Sequence, residues 1–399
     1  MNGHVTLRRT AVLVPLAAVW AVAAWLLWRS SLPDYHLPDI PVTSAFPAAV
    51  LEAAHHFSSV ARLLWLGGVL TQLAVLGVYS RYGVRWMSES AAGPVGTGML
   101  LGMIGFALVW AAEVPFGILD AWWEKHNGLP GSYIQATIGD WVALGSAFVA
   151  LSAALAIAMN LARVRWIGER WWIPAAPIFV GIGALRELVS PYLLGGKAFT
   201  APYVEKLQQV EHAHVPVKVL SGFGDLPNAF AIGLGPSRRV FLLKPILQPP
   251  FTPHTSRFVL AHELGHIAHN HLVKGIAWYA LLAFPLAYLL ARVARRRGGM
   301  GAAEAIPLVI LAYVVLQLVT APVQNIVSRH LEAEADWSAL RATHDPAAGK
   351  KLFELFAQQV KADPSPPWWD YVFLEDHPTL LQRVEMTEYW KRYAAAQSP

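Results

Sequence analysis

The sequence predicts a mainly α membrane protein: a seven-transmembrane-helix bundle carrying a polar surface domain that contains a small β-hairpin or sheet. Composition is the first reason. Of the 399 residues, 55% are hydrophobic and 14% charged, where a soluble chain carries about 25% charged residues; the mean hydropathy is +0.40. The second reason is that the apolar residues gather into runs of about 18–25 residues, the length needed to cross a bilayer. The third is that two polar stretches, 195–274 and 324–399, flank a pair of such runs. One run goes across and the next returns, so both polar stretches emerge on one face and can combine there.

The runs are Ala11–Trp28, Ala61–Ser80, Thr97–Leu119, Trp141–Ala162, Trp171–Leu194, Ile276–Val293 and Ala305–Val323. Arg8 and Arg9 before the first run imitate a secretory signal. Trp25 to Trp28 carry that run past its only small-residue site, Ala21-Val22-Ala23, so it is expected to stay as an uncleaved span. Arg186 and Glu187 interrupt the fifth run; charges are costly in lipid, so they must face protein or water. Trp28, Trp141, Trp171 and Trp172 fall at run ends, the interfacial position that tryptophan favours. The expected organisation is a five-span membrane domain (1–194), a polar segment (195–274), two further spans (275–323) and a C-terminal polar segment (324–399).

Within the first polar segment, Tyr203–His212 reads as a helix and Pro216–Val219 as a strand. Asn228–Gly233 and Arg239–Leu243 are apolar runs around the turn signal Gly233-Leu234-Gly235-Pro236-Ser237, hence a hairpin. Phe258–Val273 reads as a helix, with Thr252-Pro253 and Thr255-Ser256 as its start signals.

The chain has no cysteine, so disulfides and thiolate metal sites are excluded, and any metal must use histidine and carboxylate ligands. The formal charge is +5, but the arginines lie scattered between the apolar runs. They read as topology signals, and no nucleic-acid partner is expected.

His262-Glu263-Leu264-Gly265-His266 is the most specific signal. Residues four apart on a helix share a face, so two imidazoles can hold one metal ion. Glu263 projects about 100° around the helix, near the metal but outside its ligand set, where a base can take a proton from an activated water. A catalytic zinc needs three protein ligands and an open position. The segment Ser328–Asp336 is the obvious source of the third, since Glu332 and Asp336 lie four apart on one face while Glu334 points elsewhere. A merely solvated charged face is the competing reading. His269 would overcrowd a site that needs an open position, and His271 reads as a structural hydrogen-bonding residue.

His262–His266, Asn270-His271, Ser328-Arg329 and Glu332-Ala333-Glu334-Ala335-Asp336 together resemble the integral-membrane zinc metalloendopeptidases typified by the type 1 CAAX prenyl protease, with their HtpX-like relatives. Asn228–Gly233 with Arg238-Arg239-Val240 resembles that family's edge strand and hairpin. Asp376-His377-Pro378 through Arg383 resembles its C-terminal His-Pro segment, and Glu124–Gly128 with Gly139-Asp140-Trp141 its loop between spans three and four. Seven spans is also the family's number. The resemblance implies one Zn²⁺ per chain on His262, His266 and Glu332, with Asp336 orienting a ligand imidazole. It implies that Asn228 helps hold an extended peptide beside the site and that His377 donates to the oxyanion or substrate carbonyl. Arg383 either binds a substrate carboxylate or braces the acidic cluster.

The expected function is that of a zinc-dependent membrane endopeptidase with Glu263 as general base, resembling an enzyme that trims prenylated C-termini. Two alternatives stay open: a general membrane-protein quality-control protease, and a non-enzymatic seven-span carrier or scaffold. An intramembrane protease of the site-2 type is disfavoured, because Asn270, His271, Lys274 and the polar Glu332–Asp336 segment place the site at the membrane surface. The expected partners are the bilayer and a protein or peptide substrate, lipidated or membrane-bound if it is of the CAAX kind. Arg8 and Arg9, Arg81 and Arg85, Arg163, Arg165 and Arg170, and Arg292 and Arg295–Arg297 all fall on one face, against Arg29 and Lys125 opposite. The positive-inside rule then puts the N-terminus in the cytoplasm and the site outside. The eukaryotic members of the resembled family carry theirs on the cytosolic face, so the two arguments conflict. The bias to arginine over lysine, the many alanines and the lack of cysteine point to a bacterial cell membrane.

Overall fold

The computed structural model describes residues 2–86, 90, 92–142, 146–221 and 226–397. In lipid a backbone must satisfy its own hydrogen bonds, so long apolar runs become long helices. The first half is helical throughout: α1 (Asn2–Trp28), the short α2 (Val42–Ala45), α3 (Ala48–Tyr82), α4 (Gly93–His126), α5 (Tyr133–Val142), α6 (Ser146–Arg163) and α7 (Trp172–Leu193). Next come β1 (Lys197–Ala198), α8 (Val204–Val210), β2 (Val217–Leu220), β3 (Ala229–Ile232), β4 (Arg239–Leu243) and α9 (Pro253–Ala268). The last part contains α10 (His271–Ala294), α11 (Ile306–Thr343), α12 (Pro346–Gln359), α13 (Trp368–Phe373) and α14 (Leu380–Gln397).

Among the described residues, five helical stretches are long and apolar enough to cross a membrane: Ala48–Arg85, Gly93–His126, Gly168–Leu193, His271–Arg297 and Ala303–Thr343. The apolar stretches of α1 and α6 whose side chains are described, Val14–Trp28 and Phe148–Arg163, fall below that length, so among the described residues five of the seven expected spans are supported by length and composition. The fourth expected span, Trp141–Ala162, falls on the end of α5 and on α6, and residues 143–145 lie outside the described residues. The side chains of Arg8 and Arg9 lie outside them too.

The bundle has two chemically different ends. At one end, Arg297 donates to the Ser80 carbonyl, Arg163 to the Gly301 carbonyl (3.3 Å), and Arg295 pairs with Glu169 (2.6 Å). Three of the four arginine-bearing regions therefore meet there. At the other end, α10 begins at His271 and the polar half of α11 emerges.

The polar domain is assembled from both halves of the chain around one apolar core. Phe258 and Leu260 of α9, Trp337 and Leu340 of α11, Phe353 of α12 and Val384 of α14 are all buried in it. Such burial is worth about 25 cal/mol per Å² of apolar surface removed from water. Gly265 lets α9 and α11 approach closely, since a Cβ there would lie 3.0 Å from that of Ser338.

The sheet has the order β1-β2-β4-β3. β3 and β4 form the expected antiparallel pair. β2 runs parallel to β4, and β1 adds antiparallel to β2. Neither arrangement is visible in the local pattern. Gly233 opens the turn at φ +102°, and a Cβ there would meet the Ser237 carbonyl oxygen at 2.5 Å, so only glycine fits.

Helix α9 starts where its signals say: the Thr252 side chain accepts from the Thr255 N–H, and Pro253 stands in the first turn. It ends earlier than the expected Val273. Asn270 takes the left-handed conformation (φ 55°), which breaks the helix and restarts the chain as α10 at His271.

Candidate active site

Helix α9 turns His262 and His266 to one side, one turn apart, and the polar half of α11 crosses beneath them. His262 Nε2 and His266 Nε2 lie 3.0 Å apart. The Glu332 carboxylate stands 3.2 Å from the first and 3.5 Å from the second. One ligand atom from each residue can be chosen so that all lie within 4.8 Å of one another. Glu332 Oε2 is buried with no well-aligned hydrogen bond, though His262 Nε2 and His377 Nε2 lie 3.2 and 3.3 Å from it, and a buried carboxylate oxygen is costly unless something cationic meets it. Two imidazoles and one carboxylate converging on one point, with room left for water, are the donor set of a single catalytic zinc ion.

The surrounding charges favour a cation there. Burial opposes protonation of His262, but its hydrogen bonds to Asp336 and Glu332 and their charges outweigh it and push its pKa up to about 10. A field that holds a proton on this ring holds a divalent cation in its place.

The opposite edge of each of these two imidazoles is also occupied. His262 Nδ1 lies 2.9 Å from Asp336 Oδ1. Arg383 donates to both oxygens of Asp336, from Nε and Nη2, each at 2.7 Å, and its guanidinium lies 4.4 Å from the centre of the Phe353 ring. His266 Nδ1 lies 2.9 Å from His271 Nδ1, and His271 Nε2 lies 3.0 Å from Glu334 Oε2. Sequence reasoning missed the contact of Glu334 with His271 beside the site. Glu334 shares no helix face with Glu332, and the Asn270 break hides the His266–His271 contact from any helical spacing rule.

A cleft of about 450 Å³ opens over these groups. Asn228, His262, Glu263, His266, Glu332, His377 and Arg383 all line it, so the structure brings these sequence-predicted residues to one place. Asp336 stands behind His262 instead. Glu263 is buried at the cleft wall. His377 Nε2 lies 3.3 Å from Glu332 Oε2, and its Nδ1 lies 2.7 Å from Asp376 Oδ1. Burial opposes the charge on His377, but the Asp376 hydrogen bond and the Glu332 carboxylate overcome it and raise its pKa. Asn228 sits just before β3. Its carbonyl accepts from Leu243 N–H at 2.9 Å and its side-chain oxygen from Ala229 N–H at 2.8 Å. By antiparallel alternation, the Ala231 backbone groups then face away from β4, toward the open strand edge beside His262 and His266.

The family model described as Peptidase family M48 matches residues 204–391, which include every one of these residues. The match covers somewhat less than half of the chain, a likeness of residues 204–391 to that family. Curated relatives include the "Uncharacterized metalloprotease YhfN" of Bacillus subtilis, 24% identical over 55% of this chain and 57% of that protein. The "CAAX prenyl protease 1 homolog" of Oryza sativa subsp. japonica is 29% identical over 40% of each chain. The "Protease HtpX homolog" of Syntrophobacter fumaroxidans is 28% identical over 52% of this chain and 82% of that protein. The chain spans about half the length of the first curated relatives it matches. Among solved structures, S. mikatae Ste24p superposes with a TM-score of 0.68 at 16% identity, over 92% of this chain and 96% of that one. The chain therefore shares the Ste24p fold, and its five long apolar helices make it an integral, multi-pass membrane protein.

Proposed function

We propose that this chain is a zinc-dependent endopeptidase of the M48 kind that cuts peptide segments at the membrane surface. The convergence of His262, His266 and Glu332 beside Glu263, in a cleft bordered by a free strand edge, carries the reading. Zinc, when bound, supplies Lewis acidity that activates water and polarises the scissile carbonyl. The protein does the rest. The open edge of β3 aligns an extended substrate by strand addition, with Asn228 at its entrance. Glu263 takes a proton from the attacking water and passes it to the leaving amine. His377, held by Asp376 and raised in pKa, donates to the developing oxyanion. Asp336 and Arg383 keep the His262 ring in place. A carrier or scaffold has no use for a complete donor set with a base beside it.

The finer topology is seven spans, with α1 and α5–α6 also crossing, and with the polar segments 195–274 and 324–399 as one catalytic unit. The arginine-rich end of the bundle supports a cytoplasmic location for that end, in a bacterial cell membrane, and an extracytoplasmic site. The substrate is a membrane-bound protein, because α10 and α11 lead from the site directly into the bundle. A prenylated C-terminus is the narrower form of this reading, supported by the rice relative's name.

Zinc content and cleavage test the chemistry. Purified protein should hold one zinc per chain, and Glu263→Gln should keep that zinc while losing about 10²–10⁴-fold in peptide cleavage. Zinc-free wild-type protein, or an unimpaired Glu263→Gln, sinks the protease reading. Comparing membrane proteomes of wild type and Glu263→Gln should reveal uncut substrates and whether they are lipidated. A reporter fused after Pro399 should report an extracytoplasmic location; a cytoplasmic signal overturns the orientation.

A further inference from the structure

We propose that His271 and Glu334 are positioning residues that fix the tautomer of His266 for the metal, and that they tie this ligand to the segment leaving α1. The inference rests on reading His262, His266 and Glu332 as a zinc site.

His262 and His266 need the same thing: a lone pair on Nε2 facing the metal, hence a proton on Nδ1. For His262 the Asp336 carboxylate accepts that proton directly (2.9 Å). His266 has no carboxylate on its Nδ1 side; it has His271 Nδ1 at 2.9 Å. Two ring nitrogens in contact share one proton, and either could own it. Glu334 decides. Its Oε2 lies 3.0 Å from His271 Nε2, and both groups are buried. A carboxylate cannot donate, so His271 Nε2 must carry the proton. Neutral His271 then has a bare Nδ1, which accepts from His266 Nδ1–H, and His266 Nε2 is left with its lone pair. The reverse tautomer would set two acceptors against each other at 3.0 Å in a dry place.

Glu334 is itself anchored. Lys274 Nζ donates to it at 3.1 Å, His269 Nδ1 lies 3.4 Å away, and the backbone N–H of Ser31 also donates to it. Ser31 lies just past the end of α1. Lys274 donates to the Arg29 carbonyl as well (3.2 Å), and the Trp28 ring stacks on His330 with centroids 4.1 Å apart. The exit of α1 is therefore built into the support of one metal ligand.

The test is zinc affinity of the purified full chain, measured by chelator competition, alongside the thermal midpoint of the metal-free protein. His271→Leu should weaken zinc binding about 10–100-fold, the usual effect of losing such a partner. His271→Gln can accept from His266 Nδ1–H through its amide oxygen and donate to Glu334 through its amide nitrogen, so it should stay within about 3-fold of wild type. Glu334→Gln keeps the shape but can donate to His271, permitting the wrong tautomer, and should fall with His271→Leu. If His271→Leu binds zinc as tightly as wild type, or Gln rescues nothing, the relay is wrong and the contact is only packing. If wild-type protein holds no zinc, the metal-site reading falls, and the relay with it.

Discussion

Arg383 grips Asp336 with two parallel hydrogen bonds of 2.7 Å, one to each carboxylate oxygen. Two of its guanidinium nitrogens are thus committed to holding the acid that holds His262. Lysine offers a point charge in place of this planar fork. Arg383→Lys should therefore weaken zinc binding about 10-fold while the fold persists. If Arg383 instead captures a substrate carboxylate, the variant would raise KM for peptides with free C-termini, spare amidated ones, and leave zinc affinity unchanged. Chelator competition and paired peptide kinetics separate the two.

Asn228 stands where the open edge of β3 meets the cleft. Asn228→Ala should raise KM for extended peptides by up to about 10-fold, the worth of one net hydrogen bond, with zinc content unaltered. An unchanged KM would remove Asn228 from substrate binding.

Arg62 of α3 reaches out of the bundle to pair with Asp363 (2.7 Å) and Asp370, and all three side chains are buried. Removing the cation alone strands Asp370 and leaves Asp363 with only the exposed His55 ring at 3.3 Å and the Ser365 N–H at 3.1 Å. Arg62→Met should cost about 3–5 kcal/mol of stability, and Asp363→Asn with Asp370→Asn in the same chain should restore much of it. Thermal unfolding in detergent reads both; a near-neutral single variant would show that water reaches this cluster.

Glu375 has its pKa raised to about 7, by burial first and then by the charges of Asp370 and Asp376. A carboxyl whose folded pKa lies above its unfolded value favours the fold while protonated. Its contribution is therefore complete below about pH 4.5 and lost as pH rises through about 7. Glu375→Gln should remove this loss, so the variant gains on wild type between about pH 5 and 8, by at most about 3 kcal/mol. Parallel pH dependences for the two proteins would place Glu375 in water.

Much of this molecule is written locally. Lipid tolerates only a backbone that pairs with itself, so apolar runs such as Thr97–Leu119 had to become helices such as α4. The helical repeat puts His262 and His266 on one face, and the Thr252 and Pro253 signals start α9 where it does start. The β3–β4 hairpin follows from its turn residues. These features depend on neighbours a few residues apart, and composition alone restricted any metal to histidine and carboxylate ligands.

What brings the site together spans longer distances. Glu332 was singled out by a resemblance, and only the crossing of α11 under α9, close because of Gly265, sets it against both imidazoles. The parallel β2–β4 pairing, Arg383 on Asp336 and the Glu334–His271–His266 chain join residues from separate elements. No periodicity encodes such contacts, because each depends on how helices and strands pack after they form. Asn270 is the sharpest case. One left-handed residue turns α9 into α10, and with it a histidine that helical spacing would set aside arrives against His266.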